Sequence, residues 1–180
     1  MTAGPLLIPL RGVAPVVEPG AWLAPNVVLA GRVTVRAGAS IWFGAVLRAE
    51  AGTIEVGPDA NIQDNSVLHT DDGLHLSVGR NTSVGHGVVL HGCMIGDDVV
   101  VGMGSRVLNA ARIGSESLLA AGAVVLEGRE VPTRSLLAGV PAKVRGELDE
   151  DQVESLRQNG RIYQRLRDDY QAALPWGNTT

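Results

Sequence analysis

The stretch IGDDVV-VGMGSR-VLNAAR-IGSESL-LAAGAV-VLEGRE-VPTRSL, residues 95–136, decides the fold, because an aliphatic residue begins every group of six. The same spacing extends toward both ends, with three shifts in register: three extra residues before Val56, four before Val78 and one fewer before Ile95. The nineteen positions, all leucine, isoleucine or valine, are Leu23, Leu29, Val35, Ile41, Leu47, Val56, Ile62, Leu68, Val78, Val84, Leu90, Ile95, Val101, Val107, Ile113, Leu119, Val125, Val131 and Leu137.

A period of six fits neither an amphipathic helix nor a heptad repeat. It is typical of a parallel β-helix in which each group of six forms one side of a three-sided prism. We expect the aliphatic residues to point inward and to stack on their equivalents about 4.8 Å above and below. The 3% aromatic content suits so narrow an interior. An ordinary β-sandwich, the alternative, would require alternating patterning with turn signals every 8–12 residues or so.

The pattern divides the chain into four parts. Residues 1–20 are expected to form an arm rich in proline and glycine, which lies along the prism, and residues 21–145 to form about six coils. Residues 146–174 contain a predicted helix that begins near Asp149, with Gln152 three positions later as in a capping box. Residues 175–180 form a tail. The predicted apolar face of the helix comprises Val153, Leu156, Tyr163, Leu166, Tyr170 and Leu174. The pair at 159–160, Asn-Gly, is expected to weaken this helix or to split it in two.

Composition argues against several classes of protein. A net charge of −4 without a cluster of lysine and arginine argues against nucleic-acid binding. The apolar run near the N-terminus is short, which predicts neither a signal peptide nor a membrane span. The single cysteine, Cys93, excludes an intrachain disulfide and suits the reducing cytoplasm. We expect Cys93 to be a small buried residue, with a metal or redox role as the alternative.

The repeat predicts where two histidines lie. Leu47, Leu68 and Leu90 are the fifth, eighth and eleventh repeat positions, so they share one side of the prism on successive coils. His69 and His91 directly follow two of them and should therefore point outward in one column, spaced to hold one metal ion. Arg48 occupies the same column one coil below.

A third histidine, His86, belongs to the adjacent side, which also carries Gln63 one coil below. In a threefold ring, the side with His86 would face the neighbour's side with His69 and His91, which predicts a homotrimer with three shared metal sites. The alternative is that the histidines are solvated or hydrogen-bonded without a metal. The fourth, His75, lies in an insertion loop, where it is either plainly exposed or a proton relay.

Several motifs resemble those of the gamma-class carbonic anhydrases over residues 10–170. They are Arg48 in a Val-Leu-Arg context, Asn61-Ile62-Gln63-Asp64-Asn65, His69-Thr70-Asp71, Gly85-His86, Leu90-His91-Gly92-Cys93, Ile95-Gly96, Gly102-Met103-Gly104 and Ala138-Gly139-Val140-Pro141-Ala142. The resemblance implies a left-handed coil, with His69, His86 and His91 as zinc ligands shared across a trimer interface. A zinc-bound hydroxide would then convert CO₂ to bicarbonate. Iron and cobalt also accept three imidazoles.

The resemblance also assigns supporting roles. Gln63 resembles the residue that orients the hydroxide, and Asn61 a polar residue near the substrate. Arg48 and Asp64 resemble an ion pair that links subunits. Tyr163 resembles a helix tyrosine that approaches the pocket in some members.

Two departures bear on turnover. Glu50 stands where the family usually has aspartate, and Ala51 stands where its archaeal prototype has a proton-shuttling glutamate. The prototype's long acidic loop is reduced here to residues 70–75. Asp71 and Asp72 supply acid nearby, or form a solvated turn. Without a shuttle, proton release would limit the rate, so we expect slow, buffer-dependent or absent catalysis.

Two other functional classes stay open. One is acyl transfer or acyl-CoA thioester hydrolysis, since hexapeptide acyltransferases bind coenzyme A between subunits. The other is a non-catalytic assembly subunit, because a trimeric prism presents large flat faces. The leading interpretation is a cytoplasmic, carbonic-anhydrase-like lyase that acts on CO₂ and bicarbonate, without nucleic-acid or membrane partners.

Overall fold

A computed structural model describes residues 4–173 of the chain. It contains short strands followed by one long helix. The elements are β1 (Leu6–Ile8), β2 (Val16–Val17), β3 (Trp22–Leu23), β4 (Val28–Val35), β5 (Ser40–Ile41), β6 (Val46–Val56), β7 (Asn61–Ile62), β8 (Val67–His69), β9 (His75–Val78), β10 (Ser83–Val84), β11 (Val89–His91), β12 (Met94–Ile95), β13 (Val100–Val101), β14 (Arg106–Val107), β15 (Arg112–Ile113), β16 (Leu118–Leu119), β17 (Val124–Val125), β18 (Glu130–Val131), β19 (Ser135–Ala138), β20 (Lys143–Glu147) and α1 (Glu150–Ala173).

The strands form a parallel β-helix with three sides, as the six-residue period predicts, and the coil is left-handed, as the family resemblance implies. The first side stacks β1, β4, β6, β8, β11, β14 and β17; the second stacks β2, β4, β6, β9, β12, β15 and β18. The third stacks β3, β5, β7, β10, β13, β16 and β19, with β20 added antiparallel at its end. The prism has about seven turns rather than six, because β1 and β2 pair with β4 and add a turn at the front.

All nineteen repeat positions are buried, and the most exposed of them, Val131, retains 6% of its surface. They form vertical columns: Leu68 pairs with Leu47 below and Leu90 above, and Leu90 pairs in turn with Val107. Burial of each such side chain contributes roughly 1.5–3 kcal/mol. The columns therefore hold the prism together and fix the direction of every neighbouring side chain.

The three register shifts are three local departures from the regular coil. The extra residues before Val56 lie in β6, where the pairing with β4 slips at a bulge. The extra residues before Val78 form the turn at 71–74, closed by the Leu74 amide, which donates to the Asp71 carbonyl at 3.2 Å. The missing residue before Ile95 corresponds to a tight corner at 92. All three departures flank the column that carries the histidines.

The helix begins as its sequence predicts. The Gln152 amide donates to Asp149 Oδ1 at 2.8 Å, and the Asp149 amide donates to Gln152 Oε1 at 3.0 Å, which is a reciprocal capping box. The expected interruption at 159–160 is wrong, because α1 is continuous. Gly160 is buried, and a Cβ there would overlap Asn81 Oδ1. The glycine therefore allows the helix to approach the third side closely.

The helix packs on the third side of the prism. Val153 and Leu156 are buried as predicted, whereas Leu166 is 36% exposed, because the contacting face continues through positions 160, 163 and 167. Tyr163 and Tyr170 contact Trp42, with ring centroids 5.5 and 5.2 Å apart. The predicted contact at Leu174 and the tail at 175–180 lie outside the described residues.

Cys93 lies in the core with no exposed surface, which confirms that it is a small buried residue. Burial raises the pKa of its thiol to about 12. Across residues 4–173, no helix has the length and apolarity to span a membrane.

Candidate metal centre

His69 and His91 occupy one column, as counting the repeat predicts. They are register partners on β8 and β11, and Arg48 pairs with His69 from the strand below. Their ring centroids lie 4.9 Å apart, and His69 Nδ1 lies 2.9 Å from His91 Nε2. Both rings are half-buried. The parallel register therefore presents two imidazole nitrogens to a common point.

The far side of the His69 ring is held by Glu50. Glu50 Oε2 lies 3.1 Å from His69 Nε2, and a carboxylate at this position can only accept a hydrogen bond. His69 Nε2 therefore carries the proton, and Nδ1 keeps its lone pair. Glu50 lies in the β6 bulge, which directs its side chain toward both His69 and Arg48.

The His91 ring is held in the same way from the coil above. Asn109 Oδ1 lies 2.7 Å from His91 Nδ1, and Asn109 Nδ2 donates to Asp71 Oδ2 at 2.8 Å. Because the carboxylate only accepts, it fixes which way the amide faces. His91 Nδ1 then carries the proton, and Nε2 keeps the lone pair. Gly92 makes room for this contact, since a Cβ there would overlap Asn109 Oδ1.

The two lone pairs consequently face each other across 2.9 Å. Two acceptors in this arrangement repel unless a cation lies between them. Two nitrogens that bind one zinc ion at the tetrahedral angle are about 3.4 Å apart, so a small opening of the pair would admit the ion. Burial lowers the pKa of His69, and the positive charge of Arg48 lowers it further, which keeps this imidazole neutral and able to ligate. The donor set therefore fits a divalent transition metal.

His86 lies on the third side, away from this pair. Asp64 Oδ2 lies 2.8 Å from His86 Nδ1, which leaves Nε2 with its lone pair on a side chain that is 47% exposed. Among residues 4–173, the one group of three donors close enough to hold an ion is His69, Asp71 and His91, whose ligand atoms all lie within 4.8 Å. The single chain thus does not bring His86 to the other two histidines.

Gln63 and Asn61 form a buried polar chain beside His86. Gln63 Nε2 donates to Asn61 Oδ1 at 3.0 Å, and Asn61 Nδ2 donates to Ser83 Oγ at 2.8 Å. These bonds fix the amide of Gln63, which is 5% exposed and lines a groove with His86 and Tyr163. Burial raises the pKa of Tyr163, and the negative charge of Asp64 raises it further.

Other residues singled out from the sequence are placed as follows. Arg48 and Asp64 do not pair with each other within the described chain: Arg48 contacts Glu50, and Asp64 contacts His86. His75 is exposed, and its Nδ1 lies 2.7 Å from Thr53 Oγ1.

Asn109 belongs to the site but is not among the residues that the sequence predicts for it. The available signal was its position, two residues after Val107, on the coil directly above His91.

Comparison with known proteins finds relatives that are named as carbonic anhydrases. No family model matches the chain. It is 44% identical over 144 residues to a protein of Methanocaldococcus jannaschii named "Probable carbonic anhydrase", covering 80% of this chain and 91% of the relative. It is 33% identical over 159 residues to mitochondrial gamma carbonic anhydrase 1 of Arabidopsis thaliana, covering 85% of this chain. The match spans 58% of that plant protein's length.

Among solved structures, a hexapeptide transferase family protein from Anaplasma phagocytophilum superposes with a TM-score of 0.86. The two sequences are 38% identical, and the match covers 92% of this chain and 98% of that one. The left-handed prism and its repeat are thus shared along nearly the whole length.

Proposed function

Because this chain belongs to the gamma carbonic anhydrase family of hexapeptide-repeat proteins, we propose that it is a zinc-dependent lyase that interconverts CO₂ and bicarbonate. Iron and cobalt are the alternative metals. One observation carries the proposal. The lone pairs of His69 Nδ1 and His91 Nε2 face each other, and the two nitrogens are 2.9 Å apart. When bound, the metal would supply a Lewis acid that lowers the pKa of a coordinated water to about 7.

The third histidine would come from a neighbouring subunit. His86 has an exposed side chain, and Asp64 accepts from its Nδ1, so Nε2 of the neutral ring would be free to bind a cation held by another chain. The first side carries a ladder of outward valines, Val46, Val67 and Val89, beside the histidine column. Val67 is 39% exposed, and such an apolar stripe favours contact with another copy. A closed ring of three copies would place one site at each interface.

Residues of the third side would then shape the substrate pocket. Gln63 has its amide fixed by Asn61, which leaves its Oε1 as an acceptor for a proton of the reacting water. The groove beside it encloses about 340 Å³ and is lined by Val100, Met103 and Leu118, a suitable apolar surface for the uncharged CO₂. Ala51 offers no proton acceptor, so the proton of the reacting water has to reach buffer. We therefore expect the rate to rise with buffer concentration.

Metal content and CO₂ hydration test this proposal together. Wild-type protein purified without chelator should contain about one metal ion per chain, and His69→Ala should contain none. Stopped-flow hydration should require the metal and increase with buffer concentration. A wild-type protein that stays metal-free after incubation with zinc would overturn the proposal, as would a metal-loaded protein without hydration activity at any buffer concentration. We also propose a cytoplasmic location, because the single cysteine of the chain, Cys93, is a free buried thiol, which suits a reducing compartment.

A second candidate is acyl-CoA thioester hydrolysis or acyl transfer. The groove beside His86 continues past Gly102 to Ala120 and Ala121, which is farther than CO₂ requires. The Anaplasma protein of the same fold is named a transferase. Release of coenzyme A from acetyl-CoA by metal-loaded protein, abolished in His86→Ala, would favour this candidate over hydration.

A further inference from the structure

We propose that Asp71 is a metal ligand, so that a single chain can hold a divalent cation through His69, His91 and Asp71 before a neighbour supplies His86. This inference rests on the metal site proposed above and adds a donor to it. Asp71 Oδ1 lies 3.9 Å from His91 Nε2, and the three ligand atoms all lie within 4.8 Å of one another. Two imidazoles and one carboxylate are a donor set that iron, cobalt and zinc accept.

The carboxylate is oriented for this role. Its Oδ2 accepts the bond from Asn109 Nδ2 at 2.8 Å, and Oδ1 is the oxygen that lies toward His91 Nε2. Asn109 also bonds to His91 Nδ1, so one side chain positions both donors. The hydrogen bonds from Asp71 through Asn109 to His91 keep the Asp71 carboxylate close to the His91 ring.

The turn that carries Asp71 is anchored at its base. Thr70 is 2% exposed, and its hydroxyl donates to the Leu74 carbonyl at 3.1 Å. The Asp71 side chain itself is 55% exposed, so it can close the remaining distance by rotation. The four-residue insertion before Val78 therefore places a carboxylate over the histidine pair.

Glu50, the other carboxylate near the pair, is excluded by its position. It contacts His69 at Nε2, the nitrogen opposite the one that faces His91, and it also contacts Arg48. Its role is to hold the His69 tautomer. Asp71 lies on the side where His69 Nδ1 and His91 Nε2 face each other. There its carboxylate would neutralise part of the positive charge of a bound cation.

The experiment measures Zn²⁺ affinity by competition with a chromogenic chelator and uses full-length protein freed of metal. In His86→Ala, the cation should still bind at about one per chain. Adding Asp71→Asn to this variant should weaken binding by about 10–100-fold. Asp72→Asn in the same background, which removes an exposed carboxylate from the same turn, should leave the affinity unchanged.

Cobalt spectroscopy provides a second readout that does not depend on the His86 variant. The visible absorption of Co²⁺ bound to the wild type should change in band position and intensity in Asp71→Asn, because one ligand is lost. If His86→Ala binds no more tightly than His69→Ala, or if Asp71→Asn changes neither the affinity nor the spectrum, the inference is wrong. In both cases a wild type that binds zinc and hydrates CO₂ would leave the proposed function standing. A wild type that binds no cation would overturn both.

Discussion

Replacing Asn109 with leucine tests the link between hydrogen bonding and metal binding. The change keeps the approximate size of the side chain but removes the acceptor that lies 2.7 Å from His91 Nδ1. His91 can then place its proton on Nε2, the nitrogen that faces His69, and this tautomer cannot ligate through that atom. We therefore expect Asn109→Leu to bind Zn²⁺ more weakly than the wild type.

The magnitude follows from the bonds that are lost. A neutral hydrogen bond contributes about 0.5–1.5 kcal/mol net, and loss of the outer partner of a metal-binding histidine lowers affinity by about 10–100-fold. Tenfold corresponds to about 1.4 kcal/mol. The second bond of Asn109 goes to Asp71, whose side chain is 55% exposed, so water replaces the amide there at little cost. The expected loss is thus near tenfold.

Chelator competition measures this loss, and urea unfolding of the metal-free proteins checks that the fold is retained. Asn109→Gln is the matched control, because its amide keeps both an acceptor for His91 Nδ1 and a donor for Asp71, and it should lose less affinity than Asn109→Leu. The reasoning about tautomers would be refuted by an Asn109→Leu protein that binds zinc as tightly as the wild type. Equal weakening in both variants would refute it as well.

Three further predictions concern the prism and its helix, each read out by urea unfolding of metal-free protein. Leu90→Ala should lower the free energy of unfolding by about 2–5 kcal/mol, because it opens a cavity in the column; a loss below about 1 kcal/mol would contradict the stacking. Gly160→Ala should cost about 1–3 kcal/mol, because the added methyl overlaps Asn81; an unchanged midpoint would mean that the helix does not approach this closely. Glu116→Gln should be less stable than the wild type at neutral pH, because the hydrogen bond from Arg134 lowers the pKa of Glu116 below its ordinary 4.5. A lowered folded-state pKa stabilises above the unfolded-state pKa and is lost as pH falls, so the difference should shrink toward about pH 3; a constant difference would contradict the assignment.

The sequence alone determined the architecture and the histidine column. A strand fixes side-chain direction by simple alternation, and a stacked coil fixes which residues are neighbours by counting. The buried repeat therefore placed His69 beside His91, and His86 on another side together with Gln63, without any knowledge of side-chain conformation. The cap of the helix was equally local, since Asp149 and Gln152 lie three residues apart.

Tertiary structure alone decided what holds those histidines. Asp71 and Asn109 are 38 residues apart, and their bond depends on a turn and a side-chain rotamer that the aliphatic repeat does not encode. Glu50 reaches His69 because a bulge redirects it, and a bulge leaves no trace in the period beyond a count of extra residues. The same holds for Gly160, which local propensity marks as a weak point of the helix. Packing reverses that expectation. Without a Cβ at position 160 the helix can pack closely against the prism, and this gain outweighs the low intrinsic helix propensity of glycine.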